Sequence, residues 1–259
     1  MAAYHKFTDN IYRKFDIDLS LYKEAQMKRR LTSLRNKRGF KDFTTYYQAI
    51  ERDTELSSEF IDRITINVSE FYRNPQRWEV LRDKVIPQLI KGKRSLRIWS
   101  AACSTGEEPY SLAMLMKEHY SQINTTIIAT DIDDNALEKA KAGSYDKQAL
   151  THVPKDKVSK YFTINDDKYH VADELKREIT FQKHNLLEDK YPSNIDLIVC
   201  RNVLIYFTDE AKKDIYTGFS KSLVPEGVLF VGSTEQIFQS NNFDLNLFDT
   251  FFYQKSKTT

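Results

Sequence analysis

Segments that alternate between strand and helix patterns run from residue 96 to residue 231, and they constrain the fold more than any other feature. Apolar or β-branched segments typical of buried strands are Leu96 to Ser100, Thr126 to Thr130, Ile179 to Gln182, Ile195 to Cys200 and Val228 to Val231. Helical patterns lie at Pro109 to Tyr120, Asn135 to Lys141 and Glu210 to Leu223. This alternation predicts an α/β fold with a mostly parallel sheet, helices on both faces, and a ligand site at the carboxyl ends of the strands.

Three regions depart from this alternation. Apolar residues four apart, such as Phe7 and Ile11, predict an all-α N-terminal domain over residues 1–75, followed by the α/β domain over residues 76–259. Two strand-like segments, Tyr161 to Ile164 and Tyr169 to Ala172, predict an antiparallel hairpin in a small inserted β-subdomain at about residues 145–178. At the end of the chain, Phe251 to Tyr253 predicts an antiparallel edge strand.

The composition argues against several functional classes. The chain has no apolar run near the ~20 residues that span a bilayer, and its N-terminus lacks the apolar centre of a secretory signal, which predicts a cytoplasmic protein. The two cysteines, Cys103 and Cys200, lack the spacing of a metal or redox motif. The five histidines include no pair four residues apart, so the sequence predicts no metal site.

Basic residues are concentrated between Lys23 and Lys41, where eight of them stand against the single acid Glu24, for a net charge of +7. The whole chain carries only +2. A solvated helix face is one interpretation of this segment. A docking surface for an acidic partner is the other, because such a segment steers association electrostatically.

The first predicted strand leads into a turn that is typical of a cofactor site. The turn reads Ser100-Ala101-Ala102-Cys103-Ser104-Thr105-Gly106-Glu107-Glu108 and is followed by Pro109, which is tolerated at a helix start. Small residues and Gly106 allow the backbone to approach a ligand closely. Two carboxylates at the helix start disfavour a phosphate and favour a cationic, phosphate-free adenosyl ligand. An ordinary strand-to-helix connection remains an alternative.

Polar residues also follow the next strands. Asp131 ends the second strand, where a carboxylate can bind ribose hydroxyls, although it could instead cap the helix that starts near Asn135. Asn185 follows the third strand and Asn202 the fourth, where amides can read the edge of an adenine ring. Either asparagine could instead form a turn.

Four motifs in this order resemble the CheR family of chemotaxis receptor methyltransferases. The motifs are Ile66-Asn67-Val68-Ser69-Glu70-Phe71-Tyr72-Arg73-Asn74, Trp99 to Ser111, Ala129-Thr130-Asp131-Ile132, and Cys200-Arg201-Asn202-Val203-Leu204-Ile205-Tyr206-Phe207. The resemblance covers essentially the whole chain. It implies a Rossmann-like methyltransferase fold that transfers a methyl group from S-adenosylmethionine to glutamate carboxylates on the helical cytoplasmic part of chemoreceptors, with no metal.

The resemblance also implies roles for individual residues. Those implied to bind the cofactor are Asn67, Ser69, Arg73, Glu108, Asp131, Asn185, Leu186, Asn202 and Val203. Arg73 and Tyr206 match positions near the transferred methyl group, so they are the expected catalytic residues; a surface ion pair and a core aromatic are the alternatives. Ser69 departs from the family pattern, because many members carry threonine there.

The resemblance gives the basic segment a partner. Residues expected to lie along an acidic receptor helix are Lys28, Arg29, Arg30, Arg35, Lys37 and Arg38. Contact with the membrane is then expected only through the receptor, and the enzyme is expected to be a monomer. A nucleic-acid partner is disfavoured, because Cys200 to Phe207 lacks the proline of base methyltransferases. The resemblance implies that some family members hold a receptor tail peptide with the hairpin subdomain. Here the turn, Asn165-Asp166-Asp167, lacks the glycine-rich loop expected for that mode, which predicts action without such a peptide. An adaptor that senses the cofactor without catalysis is a further alternative.

Overall fold

A computed structural model describes residues 2–65 and 69–257, and its centre is a seven-stranded sheet. The strands of this sheet are β1 (Ser95–Ala101), β2 (Asn124–Asp131), β6 (Ile179–Lys183), β7 (Ile195–Cys200), β8 (Leu223–Val231), β9 (Leu245–Asp249) and β10 (Phe252–Lys255). Their order is β6-β2-β1-β7-β8-β10-β9, and the first five are parallel. The mostly parallel sheet predicted from the sequence is therefore confirmed.

Helices cover both faces of the sheet. One face packs on α5 (Pro75–Val80), a π-helical stretch (Leu81–Val85), α6 (Ile86–Leu89) and α7 (Glu107–His119). The other face packs on α11 (Asp209–Ser222) and on the N-terminal helices. Within β1, Ile98 joins the first layer and Trp99 the second, because successive side chains of a strand point to opposite faces. The helix α8 (Asp134–Ala142) follows β2 along the chain and forms a strand-to-helix unit with it.

The N-terminal part is all-α, as predicted. Its helices are α1 (Ala2–Phe15), α2 (Glu24–Lys37), α3 (Phe43–Arg52) and α4 (Thr54–Thr65). Phe7 and Ile11 on α1 pack with Tyr46 and Ile50 on α3, and each of these four side chains is fully or almost fully buried. This apolar cluster is continuous with one layer of the large sheet, so the N-terminal helices are held against the α/β part. A domain boundary near residue 75 stays a prediction.

The predicted inserted subdomain is a three-stranded antiparallel sheet rather than a hairpin alone. It consists of β3 (Ser144–Tyr145), β4 (Phe162–Asn165) and β5 (Lys168–Val171), in the order β3-β5-β4, with the short helices α9 (Lys155–Tyr161) and α10 (Asp173–Lys176) beside it. The hairpin turns at Asp166 and Asp167, which both have the positive φ that aspartate tolerates. The sequence did not predict β3, because a two-residue strand has no periodicity to read.

The prediction that Phe251 to Tyr253 forms the edge strand of the large sheet is wrong. Phe252 to Lys255 pairs antiparallel with β8 as expected, but β9 pairs on its other side and forms the edge. β9 reads Leu-Asn-Leu-Phe-Asp and carries an exposed Leu247, so its apolar residues do not stand out from a loop. Over residues 2–65 and 69–257, no helix combines the length and the apolar character that crossing a membrane requires.

Candidate active site

A cavity with about 940 Å³ of empty space, partly open to solvent, lies at the carboxyl ends of the parallel strands. The predicted site residues that line it are Ser69, Arg73, Glu108, Asp131, Asn185, Leu186, Asn202, Val203 and Tyr206. Asn67 lies outside the described residues. Folding thus brings together residues from four separate motifs.

The turn between β1 and α7 forms one wall of this cavity. Ala102 and Ser104 have φ of 64° and 50°, which curls the backbone around the cavity. Gly106, with φ of 96°, begins α7. A Cβ atom there would lie 2.8 Å from the Cβ of Ala140 and 2.9 Å from the hydroxyl of Tyr145. Gly106 is therefore required both for its conformation and for close packing of the turn against α8 and β3.

Asp131 at the end of β2 is positioned by backbone amides. Its Oδ2 accepts a hydrogen bond from Ser104 N at 2.8 Å, and its Oδ1 accepts one from Asp133 N at 3.0 Å. Burial raises the pKa of Asp131 to about 6, although these backbone hydrogen bonds oppose the shift. The alternative role as a helix cap falls to Asp133, whose carboxylate accepts from Asn135 N and Ala136 N at the start of α8. Asp131 is thus left to face the cavity.

Glu108 lies in the first turn of α7, on the same wall. Ser100 Oγ donates a hydrogen bond to its Oε1 at 2.8 Å. Burial raises the pKa of Glu108 to about 7, and the positive charge of Arg201 opposes this shift. The carboxylate of its neighbour Glu107 is instead engaged by the Thr105 hydroxyl, which lies 2.9 and 2.7 Å from its two oxygens.

Arg201 is a cavity residue for which the sequence suggested no role. Its Nη2 donates to the carbonyl oxygen of Arg73 at 2.7 Å and to Asn74 Oδ1 at 3.0 Å. Its guanidinium carbon lies 4.7 Å from the ring centre of Phe230 and 5.8 Å from that of Trp78. Arg201 therefore fixes the segment that carries Arg73 to the end of β7. The one signal in the sequence is a charge directly after a strand of six buried residues.

Glu235 is a second residue that the sequence analysis missed. This buried carboxylate accepts hydrogen bonds from the backbone amides of Asn202 at 2.6 Å, Leu204 at 2.7 Å and Gly232 at 2.8 Å. It holds the loop after β7 against the loop after β8, which sets the position of Tyr206. No local pattern marks it, because both loops come together only in the folded sheet.

The two predicted asparagines differ in their surroundings. The side-chain amide of Asn185 donates to the Asp16 carbonyl oxygen at 2.8 Å. Its side-chain oxygen accepts from Leu187 N at 3.0 Å, so Asn185 forms a turn, which was the alternative to ligand binding. Asn202 has a φ of 61°, and its buried Oδ1 has no hydrogen-bond partner among residues 2–65 and 69–257. Both asparagines line the cavity, and the role of Asn202 in binding a ligand stays a prediction.

Both predicted catalytic residues line the cavity. Burial raises the pKa of Glu108 and lowers that of Arg201, and the positive charge of Arg73 acts to lower both. Tyr206 ends a short 3₁₀ turn, Leu204–Tyr206, and its ring lies 5.3 Å from the guanidinium carbon of Arg30 on α2. Ser69 also lines the cavity, on the segment that leads to Arg73.

Comparison with known proteins identifies the family of this chain. Residues 2–65 match the all-alpha domain of the CheR methyltransferases, and residues 67–251 match the CheR methyltransferase SAM binding domain. The chain belongs to the CheR family. The resemblance seen in the sequence is thereby confirmed.

Relatives in this family match along almost the whole chain. A chemotaxis protein methyltransferase of Listeria innocua is 43% identical over 254 residues, which cover 98% of this chain and 97% of the relative. One of Borreliella burgdorferi is 36% identical over 248 residues, with 90% and 88% covered. The chain is thus a member of a family of S-adenosylmethionine-dependent chemotaxis methyltransferases.

The cavity fits the cofactor of the CheR family. Asp131 and Glu108 offer carboxylates to a ligand with sugar hydroxyls and positive charge, and Asn202 lines the same cavity. Leu186 and Val203 add apolar surface for a flat ring. Among residues 2–65 and 69–257, no three histidine, cysteine or acidic side chains cluster as a metal site would require. A metal-free reaction stays a prediction.

The six predicted docking residues of α2 do not share one face. Arg30 donates to the Ile64 carbonyl oxygen at 3.2 Å, and Lys37 follows seven residues later on the same flank. On the opposite flank, Lys28 lies 5.1 Å from the ring centre of Tyr4, and Arg35 lies 4.8 Å from that of Phe43. Arg38 pairs with Glu59 at 2.7 Å and Arg29 is exposed. The six residues are therefore distributed over two flanks and the exposed side of α2, and their role in docking stays a prediction.

Proposed function

We propose that this enzyme transfers a methyl group from S-adenosylmethionine to glutamate side chains of chemoreceptors and forms glutamate methyl esters. One observation carries the proposal: a single cavity is lined by two largely buried carboxylates, Glu108 and Asp131, and by the cationic Arg73, and Arg30 stacks on the cavity residue Tyr206. The carboxylates suit a cationic cofactor with sugar hydroxyls. The arginines suit a substrate that is itself a carboxylate.

Different residues of the cavity would bind different parts of the cofactor. Asp131 would hold the sugar hydroxyls and Glu108 the amino-acid part of the cofactor, while Leu186 and Val203 would cover its adenine ring. When bound, the cofactor supplies a methyl group on a positively charged sulfur. With these contacts made, the cofactor would direct its methyl group towards Arg73.

The substrate needs placement more than activation. A glutamate carboxylate has an unperturbed pKa of about 4.3, so at neutral pH it is already ionised and needs no general base. His184 lines the cavity, but burial lowers its pKa and it packs edge-on against Trp99 with ring centres 5.4 Å apart. Because the substrate carboxylate carries no proton at neutral pH, the reaction requires no proton transfer to or from His184.

Arg73 would hold the substrate carboxylate in a forked pair. Correct placement of the reacting groups is worth several kcal/mol of activation free energy. A very strong pair in the ground state would weaken the nucleophile, since only interactions that favour the transition state raise the rate. Tyr206 would border the same reacting centre, because the Glu235-held loop presents it next to the cavity.

Partner and location follow from the same proposal. The enzyme would act in the cytoplasm as a monomer, on the cytoplasmic helical region of the receptor, and would meet the membrane only through that receptor. The inserted subdomain would not hold a receptor tail peptide. Comparing methylation rates of a receptor fragment with and without its C-terminal tail tests this last point, and a strong dependence on the tail would contradict it.

A chemical test separates the proposal from its alternatives. The enzyme is incubated with methyl-labelled cofactor and either a receptor fragment or RNA, and the product is treated with mild base. We expect label on the receptor fragment that mild base releases, as from an ester. Base-stable label on RNA would indicate a nucleic-acid methyltransferase, and cofactor binding without transfer would indicate an adaptor.

A further inference from the structure

The connector formed by residues 16–23, between α1 and α2, closes one side of the cavity. Lys23 N donates to the carbonyl oxygen of Tyr206 at 2.9 Å, and Thr208 N donates to that of Leu21 at 2.8 Å. Between these two bonds, Tyr22 forms an antiparallel bridge with Phe207. The connector is therefore hydrogen-bonded to the same loop that carries Tyr206.

The connector also reaches the loop after β6. The carbonyl oxygen of Asp16 accepts the Asn185 side-chain bond described above. Asp18 caps the short 3₁₀ turn Leu19–Leu21 by accepting from Ser20 N, and Leu19 is buried. Contacts at both ends and in the middle hold the connector in one position against the α/β part.

Tyr22 is the connector residue that lines the cavity. Its side chain is 8% exposed and its ring packs edge-on against Phe207 with centres 4.9 Å apart. Its hydroxyl forms no hydrogen bond within residues 2–65 and 69–257, although Tyr22 lines the cavity. A largely buried hydroxyl without a protein partner is costly unless a ligand or water supplies the bond.

The neighbouring charge gives this hydroxyl a defined chemical character. Burial first, and then the carboxylates of Asp131 and Asp18, raise the pKa of Tyr22. The hydroxyl therefore stays protonated at neutral pH and lies within the field of Asp131. A protonated hydroxyl and the Asp131 carboxylate in one cavity offer a donor and an acceptor to the same ligand, which matches a ligand that carries sugar hydroxyls.

We propose that Tyr22 is a cofactor-contacting residue, whose hydroxyl hydrogen-bonds the sugar of the adenosyl group on the Asp131 side of the cavity. This inference rests on the proposed cofactor site and extends it to the N-terminal helical part. It means that the all-α part completes the cofactor site. The residues next along the chain begin α2, so the predicted receptor-docking helix is continuous with a cofactor contact.

The test removes only the hydroxyl. Tyr22→Phe is compared with the unaltered full chain and with Tyr12→Phe, which removes the hydroxyl of an exposed tyrosine on α1. S-adenosylhomocysteine is titrated by calorimetry, and melting temperatures are measured with and without it. We expect Tyr22→Phe to weaken binding about fivefold, the value of one hydrogen bond. Tyr12→Phe should bind as the unaltered chain does.

The melting temperature separates a ligand contact from a structural one. Because the hydroxyl has no partner within residues 2–65 and 69–257, Tyr22→Phe should leave the melting temperature of the ligand-free protein unchanged and reduce only the rise on adding ligand. An unchanged dissociation constant, or weaker binding accompanied by a lower ligand-free melting temperature, would overturn the inference. If the unaltered chain bound neither S-adenosylhomocysteine nor S-adenosylmethionine, the proposed function itself would fail.

Discussion

Arg201 and Glu108 form a buried ion pair at the inner wall of the cavity, with Nη1 3.8 Å from Oε2 and side chains that are 3% and 13% exposed. At this distance the two groups attract each other without a hydrogen bond. Arg201 donates its short hydrogen bonds to the segment at residues 73–74 instead. Glu108 thus remains able to bind a second cation, and its charge depends on its neighbours.

Replacing Arg201 with methionine should therefore raise the pKa of Glu108 and lower the free energy of unfolding. The substitution removes the main charge that opposes the rise in the pKa of Glu108, so this pKa should move further above 7. Breaking a buried ion pair also costs about 3 kcal/mol of unfolding free energy. Urea unfolding measures the second effect, and the pH midpoint of cofactor binding measures the first. A midpoint that stays in place would show that Arg201 does not set the charge of Glu108.

Cofactor binding should weaken as the pH falls from 7 to 6. Glu108 has a pKa of about 7 in the ligand-free protein and binds a cation only when ionised, so protonation at lower pH removes the binding form. Arg201, Arg73 and Glu235 are the charged groups that act on it. The dissociation constant for S-adenosylmethionine should rise about fivefold over this interval through Glu108 alone. Calorimetric titrations across the range check it, with Glu108→Gln as a control that binds weakly and without this pH dependence.

The turn at Gly106 should not accept a side chain. Gly106→Ala adds a Cβ 2.8 Å from that of Ala140, on a backbone with φ of 96°. Gly92 is a matched control, since its φ is 74° and a Cβ there meets nothing within 4 Å. Both substitutions carry about 1 kcal/mol of backbone strain, but Gly106→Ala should cost about 1–3 kcal/mol more through overpacking. Equal losses in melting temperature would show that packing at the turn is not tight.

The sequence predicted most of this site because its chemistry is local. The small residues of the first turn and Asp131 each follow a strand, so the parallel sheet alone places them at one edge. Arg201 and Glu235 could not be predicted in the same way. Their roles depend on backbone groups of distant segments, which the fold brings together and which leave no periodic pattern.

The fold shows the same division. Long, regular elements such as β7 and α11 were predicted to within a residue or two, whereas β3 and β9 are short or polar and were missed. The connector at residues 16–23 was also missed as part of the site. Its polar and apolar side chains form no recognisable motif. Tyr22 reaches the cavity only because the connector forms a bridge to Phe207.

Arg73 and Asp131 should separate catalysis from binding. Arg73→Ala should lower kcat strongly and change the dissociation constant of S-adenosylhomocysteine little, because Arg73 is assigned to the substrate carboxylate. Asp131→Asn should do the reverse, raising the dissociation constant about tenfold through loss of a charge-assisted bond to the sugar. Steady-state rates on a receptor fragment, together with calorimetry, give both quantities. An Arg73→Ala enzyme with normal turnover would remove Arg73 from the mechanism.

The flank of α2 that carries Arg30, whose guanidinium stacks on the cavity residue Tyr206, should dominate receptor binding. Lys37 follows Arg30 two turns later on this flank, and Lys28 and Arg35 lie on the opposite one, beside α1 and α3. Changing either pair to glutamine removes the same charge, so the two variants form a matched comparison. The Arg30→Gln/Lys37→Gln enzyme should show the larger rise in KM for a receptor fragment, by about tenfold at low salt, because charges next to the reacting centre lie closest to the substrate helix. The difference should shrink as salt is added, since ions screen exposed charges. Equal rises for both pairs would mean that the receptor responds to the overall charge of α2 and not to a particular flank.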